Sequence, residues 1–455
     1  MTAGHVAVID IGKTNAKLAL VDLDSLAEID VVTRPNIVQP GPPWPHFEVD
    51  GHWDFLLDAL ARLHTRHGVD AITVTTHGAA VALIGADGQL AAPILDYEHP
   101  GPDLTAADYD AIRPHFEETG SPRLGGGLSV GAQLFWQFRT MPGLREKVRH
   151  VVTYPQYWSY RLSGVVATEV TSLGAHTDLW NPHDRCVSAL VERLGIAETL
   201  APVRRAGEVL GPGLPEIARR TGLRPDTPVH CGLHDSNASL LPHLLARDAP
   251  FSVVSTGTWV IAMAIGGAPV TLDPQRDTLI NVNAFGDPVP SARFMGGREH
   301  DLLMQGGAPE PSGEDIADAL RDGPMLLPAI VTETGPFQGR TARWIGREPA
   351  PGTGQRTAAV GGYLALVTAE CLRLIGHEGP VLVEGPFARN RAYLAMLATA
   401  AGAEVHAMAG ATGTGEGAAL LVRDARGRGP VAQPPVLPSE ALIAYANRWK
   451  TALAE

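Results

Sequence analysis

The stretch VAVIDIGKTNAKLALV, residues 6–21, places an apolar run, a short polar turn and a second apolar run in immediate succession. The apolar runs predict two buried strands, and the polar part between and beside them carries carboxylate, hydroxyl, amide and ammonium groups. A second stretch, FSVVSTGTWVIAM at residues 251–263, has the same three parts. We interpret the chain as two related halves.

Outward from these stretches, strand-like and helix-like segments alternate, with a helix near residues 55–66, a strand at 71–75 and a helix near 130–140. This alternation predicts an α/β architecture. Prolines at positions 242 and 250 place a boundary near residue 245, so we expect an N-terminal domain of residues 1–245 and a C-terminal domain of 246–455. The Pro- and Gly-rich stretches 100–127 and 266–313 predict long loops.

The composition of the 455 residues, with 45% hydrophobic and 19% charged, is that of a folded globular protein. A formal net charge of −13 makes nucleic acid an unfavourable partner. The three cysteines form no CxxC pair, and no apolar run reaches the ~18 residues of a membrane-spanning helix. We therefore expect a soluble protein of the reducing cytoplasm that binds neither nucleic acid nor membrane.

The first polar turn suits magnesium and phosphate, because its glycine lets the backbone approach an anion and its aspartate can hold a hydrated Mg²⁺. Its candidate residues are Asp10, Gly12, Lys13, Thr14, Asn15 and Lys17. Gly-Lys-Thr is part of a P-loop motif, but that motif requires a glycine where Ala7 stands, so it is excluded. A plain hairpin with a polar turn remains the alternative.

The second polar turn groups small hydroxyl residues around a glycine, which suits the other side of a polyphosphate. Its residues are Ser255, Thr256, Gly257 and Thr258. An ordinary hydroxyl-rich turn is the alternative. Asp235, in the segment VHCGLHDSN at residues 229–237, stands where a strand meets a helix. It is a helix cap, a general base beside an acceptor hydroxyl, or both.

Two glycine-rich segments follow later in the chain. The loop after VLVE at residues 381–384 could admit a nucleoside or could form a simple strand-to-helix turn. Residues 413–418 match GxGxxA, the dinucleotide fingerprint, but no acidic residue that ends a second strand follows about 20 residues on. A glycine turn that opens a packed helix is the better interpretation of this match.

These segments, in this order, resemble the FGGY family of carbohydrate kinases, part of the actin, hexokinase and Hsp70 ATPase superfamily. Asp10–Lys17 is similar to the first phosphate motif, Gly232–Asp235 to the catalytic segment, Ser255–Thr258 to the second phosphate motif and Glu384–Asn390 to the adenosine loop. PQYWSYRLSG at residues 155–164 also resembles a stretch of the family.

The resemblance implies two ribonuclease-H-like lobes with an interlobe cleft, ATP and Mg²⁺ as cofactors, Asp10 as the metal residue and Asp235 as the general base. It implies that the nucleotide is bound by the two phosphate motifs and by the adenosine-loop residues Gly385, Pro386, Phe387 and Asn390. For the sugar it implies His77, Gly78, Asp96, Tyr97, Glu98, His234 and Asp235. By itself, a histidine after a strand, as His77 is, is more often a structural residue than a ligand.

Three departures from the family pattern affect both ligands. LDYEH, residues 95–99, stands where the family often has Leu-Trp-Asn-Asp or Trp-x-Asp-x-Arg. Lys13 stands where threonine or serine is common, and Gly385-Pro386-Phe387 where three glycines are common. We expect a non-standard sugar pocket, and a Phe387 that narrows or restacks the base pocket. The variants favour the fuculokinase and rhamnulokinase branches.

The expected function is ATP-dependent phosphorylation of a small sugar in carbohydrate catabolism. The acceptor would be a ketose, namely L-fuculose, L-rhamnulose, a pentulose or a tetrulose, or else a polyol. The alternative is a catalytically idle regulator of the same superfamily that binds nucleotide or sugar, but such a protein needs no base at Asp235. An actin-like or chaperone ATPase ranks last. A homodimer is the expected assembly because homodimers are common among soluble enzymes.

Overall fold

The computed structural model describes residues 4–305, 307, 309–408, 413–423 and 432–454. Of these, residues 4–246, 280–288 and 413–423 form one compact unit, and the others form a second. The division into domains of 1–245 and 246–455 stays a prediction. The units depart from that division because two later segments return to the first unit.

The main sheet of the first unit has the strand order β13-β14-β6-β1-β2-β3, with β15 also paired to β6. The strands of this unit are β1 (His5–Ile11), β2 (Asn15–Asp22), β3 (Glu28–Pro35), β4 (Val38–Gln39), β5 (His46–Phe47), β6 (Ala71–Thr76), β7 (Val81–Gly85), β8 (Val148–Thr153), β9 (Thr168–Glu169), β10 (Trp180–Asn181), β11 (Cys186–Val187), β12 (Val203–Arg204), β13 (Val209–Pro212), β14 (Pro228–His230) and β15 (Leu233–His234). β1, β2 and β3 are antiparallel neighbours, whereas β6 runs parallel to β1.

Helices cover both faces of this sheet. The helices of this unit are α1 (Val49–His67), α2 (Ala106–Asp110), α3 (Phe116–Thr119), α4 (Val130–Thr140), α5 (Leu144–Lys147), α6 (Tyr154–Ser163), α7 (Val170–Leu173), α8 (Leu190–Arg193), α9 (Pro215–Thr221) and α10 (Asp235–Ala246) from the N-terminal part, and α15 (Thr414–Ala419) from a returning segment. Alternation along β1 sends Ile9 toward Leu60 of α1 and Trp158 of α6, and sends Val8 toward Ala418 of α15.

The second unit repeats the same sheet pattern, with the order β18-β19-β17-β16-β22-β23. Its elements are β16 (Phe251–Thr256), β17 (Val260–Ile265), β18 (Thr278–Val282), β19 (Pro288–Phe294), β20 (Met325–Leu327), β21 (Arg343–Ile345), β22 (Val381–Glu384), β23 (Val405–Ala407), α11 (Gly296–Leu303), α12 (Gly313–Leu320), α13 (Gly354–Leu374), α14 (Arg391–Ala401) and α16 (Glu440–Ala454). Of these, the end of β18 from residue 280 and the first residue of β19 fall within the segment 280–288 of the first unit. β16 pairs antiparallel with β17 and parallel with β22, as β1 does with β2 and β6. The predicted α/β class and the two related halves are therefore confirmed.

The two stretches predicted to be long loops contain helices and strands. Stretch 100–127 contains α2 and α3, and stretch 266–313 contains β18, β19 and α11. Proline did not prevent strand formation in the second stretch, because Pro288 is the first residue of β19, a position that proline tolerates in a strand.

Among the described residues, α13 is the helix that is long and apolar enough to cross a membrane. Of its most apolar window, 83% is buried inside the protein. Both ends of the helix pack into the same apolar core, in which Tyr363 and Leu372 are almost fully buried. Such burial is typical of a core helix.

Candidate active site

The strand register of the first unit gathers the predicted catalytic residues at one edge of the sheet. On β1, Asp10 pairs with Thr75 of β6, while His234 of β15 pairs with Thr76 at the end of β6. His77 follows β6 directly, and its N–H donates to the carbonyl of Ile11 over 2.9 Å. Because these parallel strands end together, residues far apart in the sequence share one site.

Asp10 is held from two directions. Its Oδ2 accepts a hydrogen bond from Thr414 Oγ1 at 2.7 Å and lies 3.8 Å from the ammonium of Lys17, which binds Glu28 at 2.8 Å. Burial raises the pKa of Asp10, the hydrogen bond from Thr414 and the charge of Lys17 oppose that rise, and the charge of Asp235 adds to it. The carboxylate therefore lies where more positive charge would stabilise it.

This environment fits Mg²⁺. The described residues contain no cluster of three or more metal-ligating side chains. Magnesium, however, usually keeps several waters and is held by one or two carboxylates together with substrate phosphates. Asp10 is the residue that would hold it, and a bound Mg²⁺ would neutralise charge on the phosphates of ATP.

Asp235 is the first residue of α10, and its side chain is 30% exposed. Its Oδ1 accepts from the backbone N–H of Ser236 at 2.6 Å and lies 3.2 Å from His234 Nε2. Burial raises the pKa of Asp235, while the hydrogen bonds that it accepts from Ser236 work against the rise. The side chain thus binds a backbone N–H at the helix start and keeps an accessible carboxylate, as both of its predicted roles require.

His77 and His234 flank this carboxylate as neutral groups, since burial lowers the pKa of each to about 4. His77 Nδ1 lies 2.7 Å from the carbonyl oxygen of Gly78, which can only accept, so Nδ1 carries the proton. Nε2 is then an acceptor, and within the described part of the chain it has no hydrogen-bond partner. A Cβ on Gly78 would lie 2.8 Å from His234 Nε2, so the glycine makes room for that ring.

Lys13 lies with the predicted sugar residues rather than with Asp10. Its ammonium binds Asp96 Oδ1 and, at 3.1 Å, Glu98 Oε2, and it stands 4.6 Å from the centre of the Tyr97 ring. Burial and the charges of Glu98, Asp96 and Asp235 raise the pKa of Tyr97 to about 12, so its hydroxyl stays protonated. The side chain of Lys13 thus contacts the predicted sugar residues, although the sequence grouped Lys13 with the residues predicted to bind phosphate.

The rest of the first turn is shaped by residues that the sequence did not indicate. The backbone of Gly12 accepts from Asn36 Nδ2 at 2.8 Å, and Thr14 accepts from the Asn36 N–H at 2.9 Å. Asn36 is in turn 2.8 Å from the buried His52. Thr14 and Asn15 remain exposed, as a turn that binds a phosphate requires. No motif in the sequence connects residues 36 and 52 to this turn.

A buried threonine behind His234 was also missed. Thr171 Oγ1 accepts the His234 N–H at 2.9 Å and donates to Glu169 Oε2 at 2.5 Å. Glu169 is fully buried, and burial raises its pKa to about 7. The TEVTS run at residues 168–172 was the available signal, because a carboxylate and hydroxyls at a helix start are typical capping residues.

In the second unit, the second phosphate turn and the adenosine loop meet. Thr256 Oγ1 binds the carbonyl of Glu384 and accepts the Phe387 N–H at 3.1 Å. Gly385 has φ +79°, and a Cβ there would lie 1.9 Å from the carbonyl oxygen of Thr256. Ser255, paired with Glu384, is partly exposed, and Gly257 and Thr258 are exposed at the turn.

Two adenosine-loop residues have structural positions. The Phe387 side chain is only 6% exposed and packs on Tyr393 and His300, with ring centres 5.2 and 5.7 Å away. Asn390 caps α14 by accepting the Tyr393 N–H at 3.0 Å. The expectation that Phe387 narrows or restacks the base pocket therefore finds no support in its position, because its ring is used in the core. Pro386 begins the short 3₁₀ turn Pro386–Arg389 and remains exposed.

The interpretation of residues 413–418 as the start of a packed helix is confirmed. A Cβ on Gly417 would lie 1.7 Å from the carbonyl oxygen of Ala238, so α15 and α10 approach more closely than any side chain would allow. The same segment supplies Thr414 to Asp10. Its glycines therefore serve helix packing in the first unit.

Comparison with known proteins identifies relatives for both parts of the chain. The N-terminal domain of the FGGY family of carbohydrate kinases matches residues 5–242, and the domain described as carbohydrate kinase FGGY, C-terminal, matches residues 248–430. An L-fuculokinase of Salmonella typhi is 29% identical over 277 residues, which is 58% of this chain and 57% of that protein. The alignment thus spans little more than half of this curated relative.

Solved structures match over the whole length. The crystal structure of a carbohydrate kinase from Novosphingobium aromaticivorans is 38% identical with a TM-score of 0.92, covering 100% of this chain and 99% of that one. A ligand-bound xylulose kinase from Lactobacillus acidophilus, at 16% identity and a TM-score of 0.81 over 99% and 97% of the two chains, shares the fold alone. With both family domains matched in order, the chain belongs to the FGGY family of carbohydrate kinases.

Proposed function

We propose that this protein transfers the γ-phosphoryl group of ATP to a hydroxyl of a small sugar, with Asp235 as general base. The observation that carries the proposal is the position of two carboxylates, Asp10 and Asp235, at one sheet edge. Each has a pKa raised by burial, and the charge of Asp235 contributes to the rise at Asp10. Perturbed carboxylates that share a site are typical of catalytic centres.

The groups around Asp235 suit the acceptor hydroxyl. Asp235 would take the hydroxyl proton as the acceptor oxygen bonds to the γ-phosphorus, and the bond from that phosphorus to the bridging oxygen would break to release ADP. His77 Nε2 can accept a hydrogen bond from a neighbouring hydroxyl of the sugar. Neutral His77 and His234 place no cation beside Asp235 that would pair with the carboxylate in place of the acceptor hydroxyl.

The finer assignment is a neutral ketose or polyol. The L-fuculokinase relative supports a six-carbon deoxyketose, and the xylulose kinase neighbour has only the fold in common. L-fuculose, L-rhamnulose, a pentulose and a tetrulose are therefore the first acceptors to test, in a role in carbohydrate catabolism. No comparison supports the idle regulator. A cytoplasmic location and a homodimer stay predictions from the sequence.

ADP release tests the proposal directly. The purified protein with ATP and Mg²⁺ is assayed against a panel of ketoses and polyols, and products are identified by mass spectrometry. We expect ADP to appear in proportion to a sugar phosphate, and Asp235→Asn to abolish most of this turnover while it keeps the fold and ATP binding. Nucleotide binding without turnover on any acceptor would support the idle regulator instead, and hydrolysis independent of sugar would support an ATPase.

A further inference from the structure

The backbone of Lys13 belongs to the first polar turn, but its side chain contacts residues outside that turn. The backbone of this turn, at Gly12 and Thr14, is held by Asn36 beside Asp10's strand. The side chain instead turns to Asp96 and Glu98 and is only 21% exposed. Within the described residues, no ion pair connects Lys13 to Asp10, the carboxylate beside which Lys17 lies.

The ammonium of Lys13 is surrounded by residues at the predicted sugar site. It stands 4.6 Å from the ring centre of Tyr97 and 5.5 Å from that of Phe47. Both rings also contact His77, at 5.2 and 5.0 Å. Cations over aromatic faces are stabilised by the ring quadrupole, the more so when water is excluded. The ammonium is therefore fixed by the same two rings that pack on His77, the histidine whose Nε2 is buried without a partner among the described residues.

Lys13, Asp96, Glu98 and Asp235 form a cluster whose charges and hydrogen-bond donors define the ligand that it can bind. Asp96 is 6% exposed, and its partner Lys13 compensates the cost of burying that carboxylate. An ammonium has three N–H donors, of which one hydrogen-bonds Asp96 while Glu98 is an ion-pair partner at 3.1 Å, so a donor remains for a ligand oxygen. The cluster thus holds three carboxyl groups, of Asp96, Glu98 and Asp235, against one lysine, which is a formal negative excess.

We propose that Lys13 is a specificity-determining residue for the acceptor, which orients Asp96 and donates to a hydroxyl of an uncharged polyhydroxy substrate. This inference rests on the proposed kinase function. It assigns Lys13 to the sugar rather than to the phosphates of ATP. The negative excess excludes aldonates and sugar phosphates as good acceptors, because an anion would add repulsion without gaining a free cation.

Kinetics with one substrate varied at a time test the assignment. We expect Lys13→Thr and Lys13→Met to raise KM for the best neutral acceptor at least tenfold and to leave KM for ATP within twofold. Lys17→Met is the matched control, because its ammonium lies 3.8 Å from Asp10 and its loss should raise KM for MgATP instead. A rise in KM for ATP in Lys13→Met, with an unchanged KM for the sugar, would overturn the proposal.

A double variant tests the coupling to Asp96. If Lys13 acts through Asp96, Lys13→Met combined with Asp96→Asn should cost little more than Asp96→Asn alone, whereas additive losses contradict this part of the proposal. In the same assay, D-gluconate and a ketose phosphate should react at least 100-fold less efficiently than neutral acceptors. An anionic acceptor as the best substrate would contradict the charge argument.

Binding measurements keep the inference distinct from the proposed function. If the wild-type protein phosphorylates no acceptor, the proposed function fails, but calorimetric titration with ATP and Mg²⁺ still tests Lys13. Equal nucleotide affinity of wild type and Lys13→Met supports the assignment of Lys13 away from the phosphates. Nucleotide binding weakened tenfold in a variant with wild-type melting behaviour would overturn it.

Discussion

Thr414 donates its hydroxyl hydrogen to Asp10 Oδ2 over 2.7 Å, although 404 positions separate the two residues in the chain. The bond exists because α15 returns to the first unit and packs on α10 and β1. It favours the ionised form of a carboxylate that burial disfavours. The orientation of the proposed magnesium residue therefore depends on a segment near the other end of the sequence.

Thr414→Val should weaken the use of Mg²⁺, because it removes the donor that orients Asp10 while it keeps the shape of the side chain. Loss of such an orienting partner typically costs about 10- to 100-fold in metal affinity or activity. Turnover measured across a magnesium titration checks the effect, with Thr414→Ser, which retains the hydroxyl, as the control. Equal magnesium dependence of the valine variant and the wild type would refute the role.

Thr171→Val should impair both folding and turnover. It leaves the buried His234 N–H without its acceptor and removes the hydroxyl that binds Glu169. An unsatisfied buried donor costs about 1–3 kcal/mol. Denaturant unfolding measures the stability change, and kcat measures the displacement of Asp235. Thr171→Ser should restore both quantities, and failure of this rescue would point to packing of the lost methyl group.

Stability should fall between about pH 4.5 and 7 through Glu169. Burial raises the pKa of this carboxyl from 4.5 to about 7, so in that window the folded state holds a proton that the unfolded state has released. Folding then binds protons, and each rise in pH favours unfolding. Glu169→Gln should flatten this part of the profile of melting temperature against pH. Parallel profiles for variant and wild type would contradict the role of Glu169.

The fall of kcat/KM at acid pH should follow the protonation of Asp235. Its pKa is raised above the ordinary 3.8, so protonation removes the base at a higher pH than for an exposed aspartate. His77 and His234, with pKa values of about 4, are neutral near pH 6.5 and contribute no limb there. The pH profile of His77→Asn should therefore keep its acid limb. A limb that disappears with His77 would assign the base to the histidine.

Gly385→Ala should destabilise the second unit by more than backbone strain alone. The added Cβ would lie 1.9 Å from the carbonyl oxygen of Thr256, in a residue with φ +79°. Gly402→Ala is the control, because φ is +68° there but nothing lies within 4 Å. The left-handed conformation costs about 1–2 kcal/mol in either variant. Denaturant titration should give a clearly larger loss for Gly385→Ala, whereas equal losses would mean that the loops can separate.

The local pattern of apolar and polar residues in the sequence predicted much of the fold. The apolar strands around Asp10 and Ser255, the helices near residues 60 and 135, and the repeat between the two halves were all predictable. The strands β1 and β16 are buried along almost their whole length, and such burial appears in the sequence as a continuous apolar run. The first of these stretches identified Asp10 as a candidate, because an ionisable residue at the end of an apolar strand is costly unless it is used. A separate segment, residues 229–237, identified Asp235 where a strand meets a helix.

Only the tertiary structure decided which of these residues meet. Sequence order placed Lys13 with the phosphate residues, yet its ammonium binds Asp96 and Glu98. Thr414 lies in a segment that the sequence assigned only to the start of a packed helix. It reaches Asp10 because that helix, α15, returns to the first unit. A motif specifies backbone conformation over a few residues, whereas the direction of a long side chain is set by the charges and rings that distant segments bring to it.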